Sequence, residues 1–505
     1  MAGAKLVRNE RKSWTNWHRN VKQPIRALYD VHNPEGGATA EGYRNTVAQL
    51  QALIARASAD NVRLRAIGGT WSFSRAAATD GYVLNTRWLN WMFRMSQLNI
   101  SEGYAGDREG LLFAQCGTSV SELNEYLEVT QGRSLRTTGA SNGQTIVGAM
   151  STGTHGASID QAGIQDHVVG LHIVTGPDRH LWVERASYPV VSERFIKRLD
   201  TELVSDDALF DAALVSFGSF GIISGVLLET TEPFLLKAYR KKMPFDSAIR
   251  AAMDSLQFDG LALPEPAARP YFFQVVVNPH DLDGGVYVTS MYKHPRPAGY
   301  TPEYRIKGGL GPGYDLLGPI GTLVDTIPAL TPFLVNQLAK VQLKEIDGKL
   351  GTIGETFDFT TPRSKAAGAA IGIKAADTTR VIDKLIALND DIGPMPVVFA
   401  CRYVQRSKGT FAFTRHDPTC VVDIDGVFAR RTLSFYRAVW EGLEAERIPF
   451  TAHWGKINQL NARRVQRMYG NDVGAWLDAR EFFLDTEGLR RTFSNPFLER
   501  LGLHP

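Results

Sequence analysis

The chain has 505 residues, 44% hydrophobic and 22% charged, which is ordinary globular composition. At roughly 100–200 residues per domain, that length requires two or more folding units. Lys plus Arg is 56 and Asp plus Glu is 53, a net charge of +3, which excludes the strong basic excess of a dedicated nucleic-acid binder.

The N-terminal residues Met1 to Glu10 contain no apolar run of the kind that marks a secretory signal. The first ~60 residues are polar and punctuated by Trp14, Trp17 and His18. Gln49 to Ala59 then places Leu50, Leu53, Ile54 and Ala57 at helical spacing. Val62 to Ile67 alternates and runs into Gly68-Gly69, the pattern of a strand entering a glycine turn. Short strands are expected at Tyr82 to Leu84, after the Asp80-Gly81 turn, and at Gly110 to Cys116. Ser119 with Glu122 three residues on has capping-box spacing and predicts a helix to Thr130. Val168 to Thr175 and Arg179 to Val183 read as a hairpin around Gly176-Pro177-Asp178, and Ile222 to Glu229 as a strand.

After about residue 235 the pattern changes. Tyr271 to Asn278 and Gly285 to Tyr292 are alternating strands, and Gly308 to Leu338 is a Gly/Pro-rich apolar stretch. Ser364 to Lys374 and Val397 to Arg406 are further strands around a helix at Thr378 to Asn389. Cys420 to Asp425 and a long helix, Ala429 to Arg447, complete what reads as an antiparallel sheet with helices on one face. No stretch of about 18 uncharged apolar residues occurs, so no membrane-spanning helix is expected. The three cysteines, Cys116, Cys401 and Cys420, form no CxxC pair, so neither a metal knuckle nor a redox dithiol is expected. Their sparse, odd number fits free thiols in a reducing compartment, and a cytoplasmic protein is the expectation.

Two glycine-rich segments carry chemistry. The first is Arg65-Ala66-Ile67-Gly68-Gly69-Thr70-Trp71-Ser72-Phe73-Ser74. The second runs from Gly139-Ala140-Ser141-Asn142-Gly143-Gln144-Thr145 through Gly148 to Ser151-Thr152-Gly153-Thr154-His155-Gly156. Successive backbone N–H groups without intervening side chains make an anion cradle, and the Ser and Thr hydroxyls add donors. Two such loops at one pyrophosphate would suit a dinucleotide, whereas either loop alone also reads as a tight turn in a β-rich fold. Neither is a G-x-G-x-x-G or a Walker A string.

Taken together with Thr15-Asn16-Trp17, Thr79-Asp80-Gly81, Phe217-Gly218-Ser219-Phe220-Gly221-Ile222-Ile223-Ser224 and His453-Trp454-Gly455-Lys456, these segments resemble the PCMH-type FAD-binding domain of the vanillyl alcohol oxidase superfamily. Within it they are most similar to the sugar-1,4-lactone oxidase and alditol oxidase group. The resemblance implies an α+β fold: a two-subdomain PCMH-type FAD-binding domain with an antiparallel-sheet cap. The FAD domain would comprise residues 1–235, the substrate-binding cap residues 236–452, and residues 453–505 would return to the FAD domain. It implies FAD contacts from Ile67, Gly68, Gly69, Thr70, Trp71, Ser72, Gly139, Ala140, Ser141, Gln144, Thr145, Gly148, Ser151, Thr152, Gly153, His155, Gly156, Gly221 and Ile223.

The chain departs from that group at informative positions. Relatives often bond the flavin covalently through a histidine in a Gly-Gly-His-Ser context, and bicovalent ones add a cysteine. Here those positions are Trp71 and Asn142, so the resemblance implies non-covalent FAD. The group commonly presents Glu-x-Arg from a cap strand, and here the string is Ala400-Cys401-Arg402. Polyol oxidases carry a serine where this chain has Ala140. What remains is cationic: Lys456 and Arg402 would face the substrate and stabilise a developing alkoxide, with His453 orienting Lys456 or contacting the ring. At Gly139, relatives with glycine tend to admit oxygen. That glycine would leave room for O2, or serve a positive φ in the turn.

The implied function is oxidation of a small-molecule alcohol, with O2 as acceptor. The apolar residues Leu310 to Leu338 suggest a pocket for a second substrate class, sterol-like or other hydrophobic alcohols, or docking on a membrane surface, or else a cap helix packed on its own sheet. A catalytically degenerate FAD-binding protein is a third possibility, motivated by Ala400.

Overall fold

The computed structural model describes residues 3–141, 143–304, 317–358 and 365–504. The long helix near the N-terminus spans Ala40–Ala59 and starts nine residues before the expected point. Thr39 caps it by accepting from the Gly42 N–H at 3.0 Å. Its buried stripe extends back through Val47, Thr46 and Tyr43, a continuation that Gly42 and Asn45 obscure in the sequence. Ser119 and Glu122 form the expected capping box, but the regular helix stops at Glu125. A wider π turn, Tyr126–Gln131, carries the chain to Gly132, whose left-handed φ of +60° ends it.

Two sheets organise the first 230 residues. One has the order Lys5–Asn9, Ala27–His32, Tyr82–Asn85, Leu64–Ile67, and its last two pairings are parallel. The other has six strands, with Val168–Val174, Ile222–Glu229 and Leu111–Gln115 at its centre. All seven residues of Val168–Val174 are buried, as expected of a central strand covered on both faces. The Val168–Val174/His180–Glu184 hairpin forms where the sequence indicated. Helices Ala462–Tyr469, Asp472–Phe483, Glu487–Thr492 and Pro496–Leu501 join the same core through Val465, Trp476, Phe483 and Phe497. The Trp476 indole donates to the Val215 carbonyl at 3.1 Å, fixing that return.

The largest sheet among the described residues has eight strands, all antiparallel: Ile346–Gly351, Phe234–Met243, Val286–Pro295, Phe272–Val277, Val397–Val404, Thr419–Val427, Ala366–Lys374 and Thr451–Ala452. Phe234–Met243, unmarked in the sequence because its second half is basic, pairs with Val286–Pro295 over ten residues. Alternation divides each strand between two faces. Val275, Phe399, Cys401, Val422 and Ile424 pack with helices Ser247–Ser255, Thr378–Ile392 and Arg430–Ala445. The opposite face carries Val276, Ala400, Arg402, Asp423 and Asp425.

The expectation of helices on one face only is corrected here. Helix Thr331–Gln342 lies on the second face, with Ala339 packed against Val276 and Ala400. The reason is composition: Val276, Ala400 and Val398 leave that part of the face apolar, and an apolar strip must be covered. The preceding helix, Leu317–Thr326, is tied down by Asp325, which accepts from the backbone N–H groups of Arg430 (2.9 Å) and Arg431 (3.1 Å). Leu310 and Leu316 lie outside the described residues. Among the described residues, no helix is long and apolar enough to cross a membrane.

Candidate active site

Strand Leu64–Ile67 delivers Gly68 and Gly69 so close to the second loop that neither has room for a side chain. A β-carbon on Gly68 would lie 2.0 Å from Thr145 Oγ1, and one on Gly69 would lie 2.4 Å from the Gly143 carbonyl oxygen. Contact between the two loops therefore requires these glycines. Thr70 follows with φ +60°, a left-handed backbone that costs a threonine energy and persists only where the surroundings hold it.

The two loops wall a cavity of about 820 Å³. Ile67, Gly68, Gly69, Thr70, Trp71, Ser72, Gly139, Ala140, Ser141, Gln144, Thr145, Gly148, Ser151, Thr152, His155, Gly221 and Ile223 all line it. Two expected cofactor contacts do not. Gly153 has φ +72° and backs onto Phe413. Gly156 abuts Thr137, where a β-carbon would lie 2.3 Å from Oγ1. These two glycines shape the turn and let it pack. Asn142 lies outside the described residues. Gly139 lines the cavity but is not in the positive-φ region, so the turn geometry does not demand glycine there. What it allows is close approach to Thr154, whose Cγ2 a β-carbon would meet at 2.7 Å.

Trp71 sits where the loops meet. Its ring stacks on Trp17 at 5.0 Å, and His18 meets it edge-on at 5.6 Å. A β-carbon on Gly143 would clash with the indole at 2.6 Å. His18 also stacks on Phe73 at 3.9 Å, and both line the cavity. Burial, with Lys456 adding repulsion, pushes His18 down to about 4, so it is neutral. Cys116 lines the cavity too, but burial pushes its thiol up to about 12 and keeps it protonated. Arg65, fully buried, donates to the backbone carbonyls of Ala76, Phe217, Gly218 and Phe493 and so fixes the segment leading to Gly221.

The cavity fits FAD. Gly68, Gly69 and Gly139 line it without side chains and so bare the backbone along its wall. The Ser151 hydroxyl is buried at that wall with no hydrogen-bond partner among the described residues, and a buried hydroxyl needs one.

The His453-Trp454-Gly455-Lys456 turn is latched to the first loop. The Gly455 carbonyl accepts from the Phe73 N–H at 2.7 Å and from the Ser72 hydroxyl at 3.0 Å. The His453 N–H donates to Ala370 and the Ile457 N–H to Gly368, which anchors the turn on the edge of the eight-stranded sheet. His453 is buried and held well below its ordinary pKa, chiefly by burial and then by His155 and Lys456. Its Nδ1 accepts the Gly455 N–H at 2.9 Å, so it orients the turn that carries Lys456. The Trp454 ring packs on Phe217 at 4.6 Å and donates to the Phe411 carbonyl at 2.6 Å.

Lys456 and Arg402 come together as expected, but the cationic expectation is corrected. Asp423, fully buried, ion-pairs with Lys456 and, at 2.8 Å, with Arg402. Asp425 lies 3.2 Å from Lys456 Nζ. Two carboxylates thus offset the two cations. Burial would raise the Asp423 carboxyl, but Lys456 and Arg402 outweigh it and hold it well below the usual carboxylate range. Lys456 is likewise opposed by burial, and Asp423 and Asp425 raise it above the ordinary lysine value, so it stays charged. The sequence did contain a signal for both: Val421-Val422-Asp423-Ile424-Asp425 puts two carboxylates on one face of an otherwise apolar strand.

Residues 43–183 match the FAD binding domain family. The chain is 23% identical over 209 residues to the D-arabinono-1,4-lactone oxidase of Debaryomyces hansenii, covering 41% of this chain and 34% of that protein. It is 27% identical over 195 residues to the L-gulono-1,4-lactone dehydrogenase of Mycobacterium tuberculosis, covering 39% and 38% respectively. It therefore spans about a third of the length of the curated relatives it matches. The solved cholesterol oxidase of B. sterolicum superposes with a TM-score of 0.69 over 99% of this chain and 97% of that one, at 13% identity, which shows a common fold.

Proposed function

We propose that this chain, a PCMH-type FAD-binding flavoprotein of the vanillyl alcohol oxidase superfamily, oxidises the CH–OH group of an organic alcohol to a carbonyl, with O2 as acceptor and H2O2 as product. The observation that carries this reading is that one cavity joins both glycine loops to Lys456, Arg402 and Asp425. Bound FAD, held without a covalent link, supplies the acceptor for the hydride that leaves the carbinol carbon.

The chain's own groups do the rest. Arg402 and Lys456, preset by Asp423, hold the substrate oxygen by donating to it as negative charge grows there. The Gly455 latch sets Lys456 relative to the first loop, because one carbonyl ties the two segments together. His155 donates from Nδ1 to the Gly156 carbonyl at 2.9 Å, and burial keeps it neutral, so it adds no charge to the site.

A second reading concerns the substrate body. Ile320, Val324, Leu334, Val335 and Leu338 line the cavity from the two apolar helices. A polyol or lactone buried there would leave hydroxyls without partners, at about 1–3 kcal/mol each. These side chains favour a hydrophobic, sterol-like alcohol with one reacting hydroxyl. The test is anaerobic mixing of the FAD-loaded protein with lactones, polyols and hydrophobic alcohols, followed by flavin bleaching, and then H2O2 release in air. Bleaching by a hydrophobic alcohol alone supports the second reading, and bleaching by none refutes alcohol oxidation.

A further inference from the structure

We propose that Asp425 is the group that accepts the substrate's hydroxyl proton, while Asp423, two residues away, is a positioning residue for the two cations. This rests on the alcohol-oxidation reading above.

The two carboxylates stand on the same face of Thr419–Val427 but in different surroundings. Asp423 has no exposed surface and is enclosed between Lys456 and Arg402. The Asp425 side chain is 45% exposed, and it is the one carboxylate lining the cavity among the described residues. Its hydrogen-bond partner there is Lys456.

Its position follows from the strand register. Gly368 lies directly opposite Asp425. A β-carbon on Gly368 would lie 3.1 Å from Asp425 Oδ1, 3.5 Å from the Phe73 ring and 3.7 Å from Lys456 Nζ. Over that bare glycine the carboxylate, the lysine and the first loop converge. Asp425 therefore sits where the glycine-loop wall meets the eight-stranded sheet, and a carbinol oxygen held by Lys456 in this cavity would lie beside it.

The neighbouring histidines are poorer acceptors. His155, His453 and His18 are all buried, and each would become a cation beside Lys456 on taking a proton. Asp425 instead loses a charge. In the step, the O–H bond breaks and its proton goes to Asp425, while its electron pair becomes the second carbon–oxygen bond. The C–H bond breaks with both electrons leaving as hydride to the FAD. Loss of the proton accompanies loss of the hydride, because a carboxylate is too weak a base to ionise an alcohol beforehand.

The test uses FAD-loaded wild type, Asp425→Asn, Asp425→Ala and Asp425→Glu. Bound-flavin content and unfolding temperature are measured first, then anaerobic flavin reduction by an alcohol that reduces the wild type. The variants are expected to keep wild-type flavin content and unfolding temperature. Asp425→Asn should reduce about 100-fold more slowly or worse. Added formate should accelerate Asp425→Ala by restoring a carboxylate, and Asp425→Glu should retain more rate than either. Reduction of Asp425→Asn within about threefold of wild type, or loss of bound FAD from it, would overturn the assignment alone. A wild type that no alcohol reduces would overturn the oxidation reading as well.

Discussion

Ala400 and Asp423 face one another across the antiparallel pair Val397–Val404 and Thr419–Val427. The carboxylate that the Glu-x-Arg pattern would place at position 400 is absent there. Its directly opposed neighbour carries one instead, and that carboxylate pairs with Arg402 and Lys456. Opposed positions share a face, so the Asp423 carboxylate reaches the same side of the sheet as Ala400 and Arg402.

Removing that charge should destabilise the protein. Asp423→Asn leaves two largely buried cations without their common partner, a change that costs about 3–5 kcal/mol. Urea unfolding of the FAD-loaded protein measures it. The pH dependence has a definite sign. Asp423 is depressed in the folded state, so its contribution is full above the unfolded value of about 4 and is lost as pH falls toward the folded value. The stability gap between wild type and Asp423→Asn should therefore narrow below about pH 4. A gap unchanged down to about pH 3 would show that Asp423 is not the ionised partner.

Lys456→Met should retain FAD and slow flavin reduction strongly. Loss of one preorganised donor at a developing oxyanion costs about 2.7–4 kcal/mol, read by anaerobic stopped flow. Arg402→Ala should show a comparable loss with weaker substrate binding. A normal reduction rate in Lys456→Met would mean that the lysine only balances Asp423 and Asp425.

The flavin should come away without bond breakage. Trp71 occupies the attachment position, and an indole packed between Trp17 and Gly143 offers no nucleophilic nitrogen. Acid precipitation should give a colourless pellet and a yellow supernatant. An intact mass raised by one FAD would contradict this.

Oxygen should reoxidise the reduced protein quickly. Gly139 lines the cavity without a side chain, and Gly139→Ala should slow reoxidation by adding a methyl at that wall. Because the new methyl meets Thr154 Cγ2 at 2.7 Å, the paired variant Gly139→Ala/Thr154→Ser relieves that contact and separates oxygen access from displacement of the loop. Slow reoxidation of the unmodified protein, with fast turnover on an artificial acceptor, would mark a dehydrogenase.

The sequence by itself determined what short-range chemistry controls. Glycine pairs force tight turns, and Ser119 with Glu122 caps a helix. Alternation makes Val397 to Val404 a strand, and the ordered strings from Asn16 to Lys456 identify the architecture. It also singled out Lys456 and Arg402, because each sits in a local pattern. The tertiary structure alone decided which charges meet. Asp423 and Asp425 look like ordinary strand residues until strand register sets Ala400 against one and Gly368 against the other. Only a turn latched by Gly455 then brings Lys456, more than thirty residues on, to both. Gly153 and Gly156 read as cofactor contacts for the same reason in reverse: a glycine's sequence context does not reveal whether a ligand or another side chain, here Phe413 or Thr137, occupies the space beside it. Local conformation is set by neighbours in the chain, but the electrostatics of a buried site depend on groups that register and packing bring together from far apart.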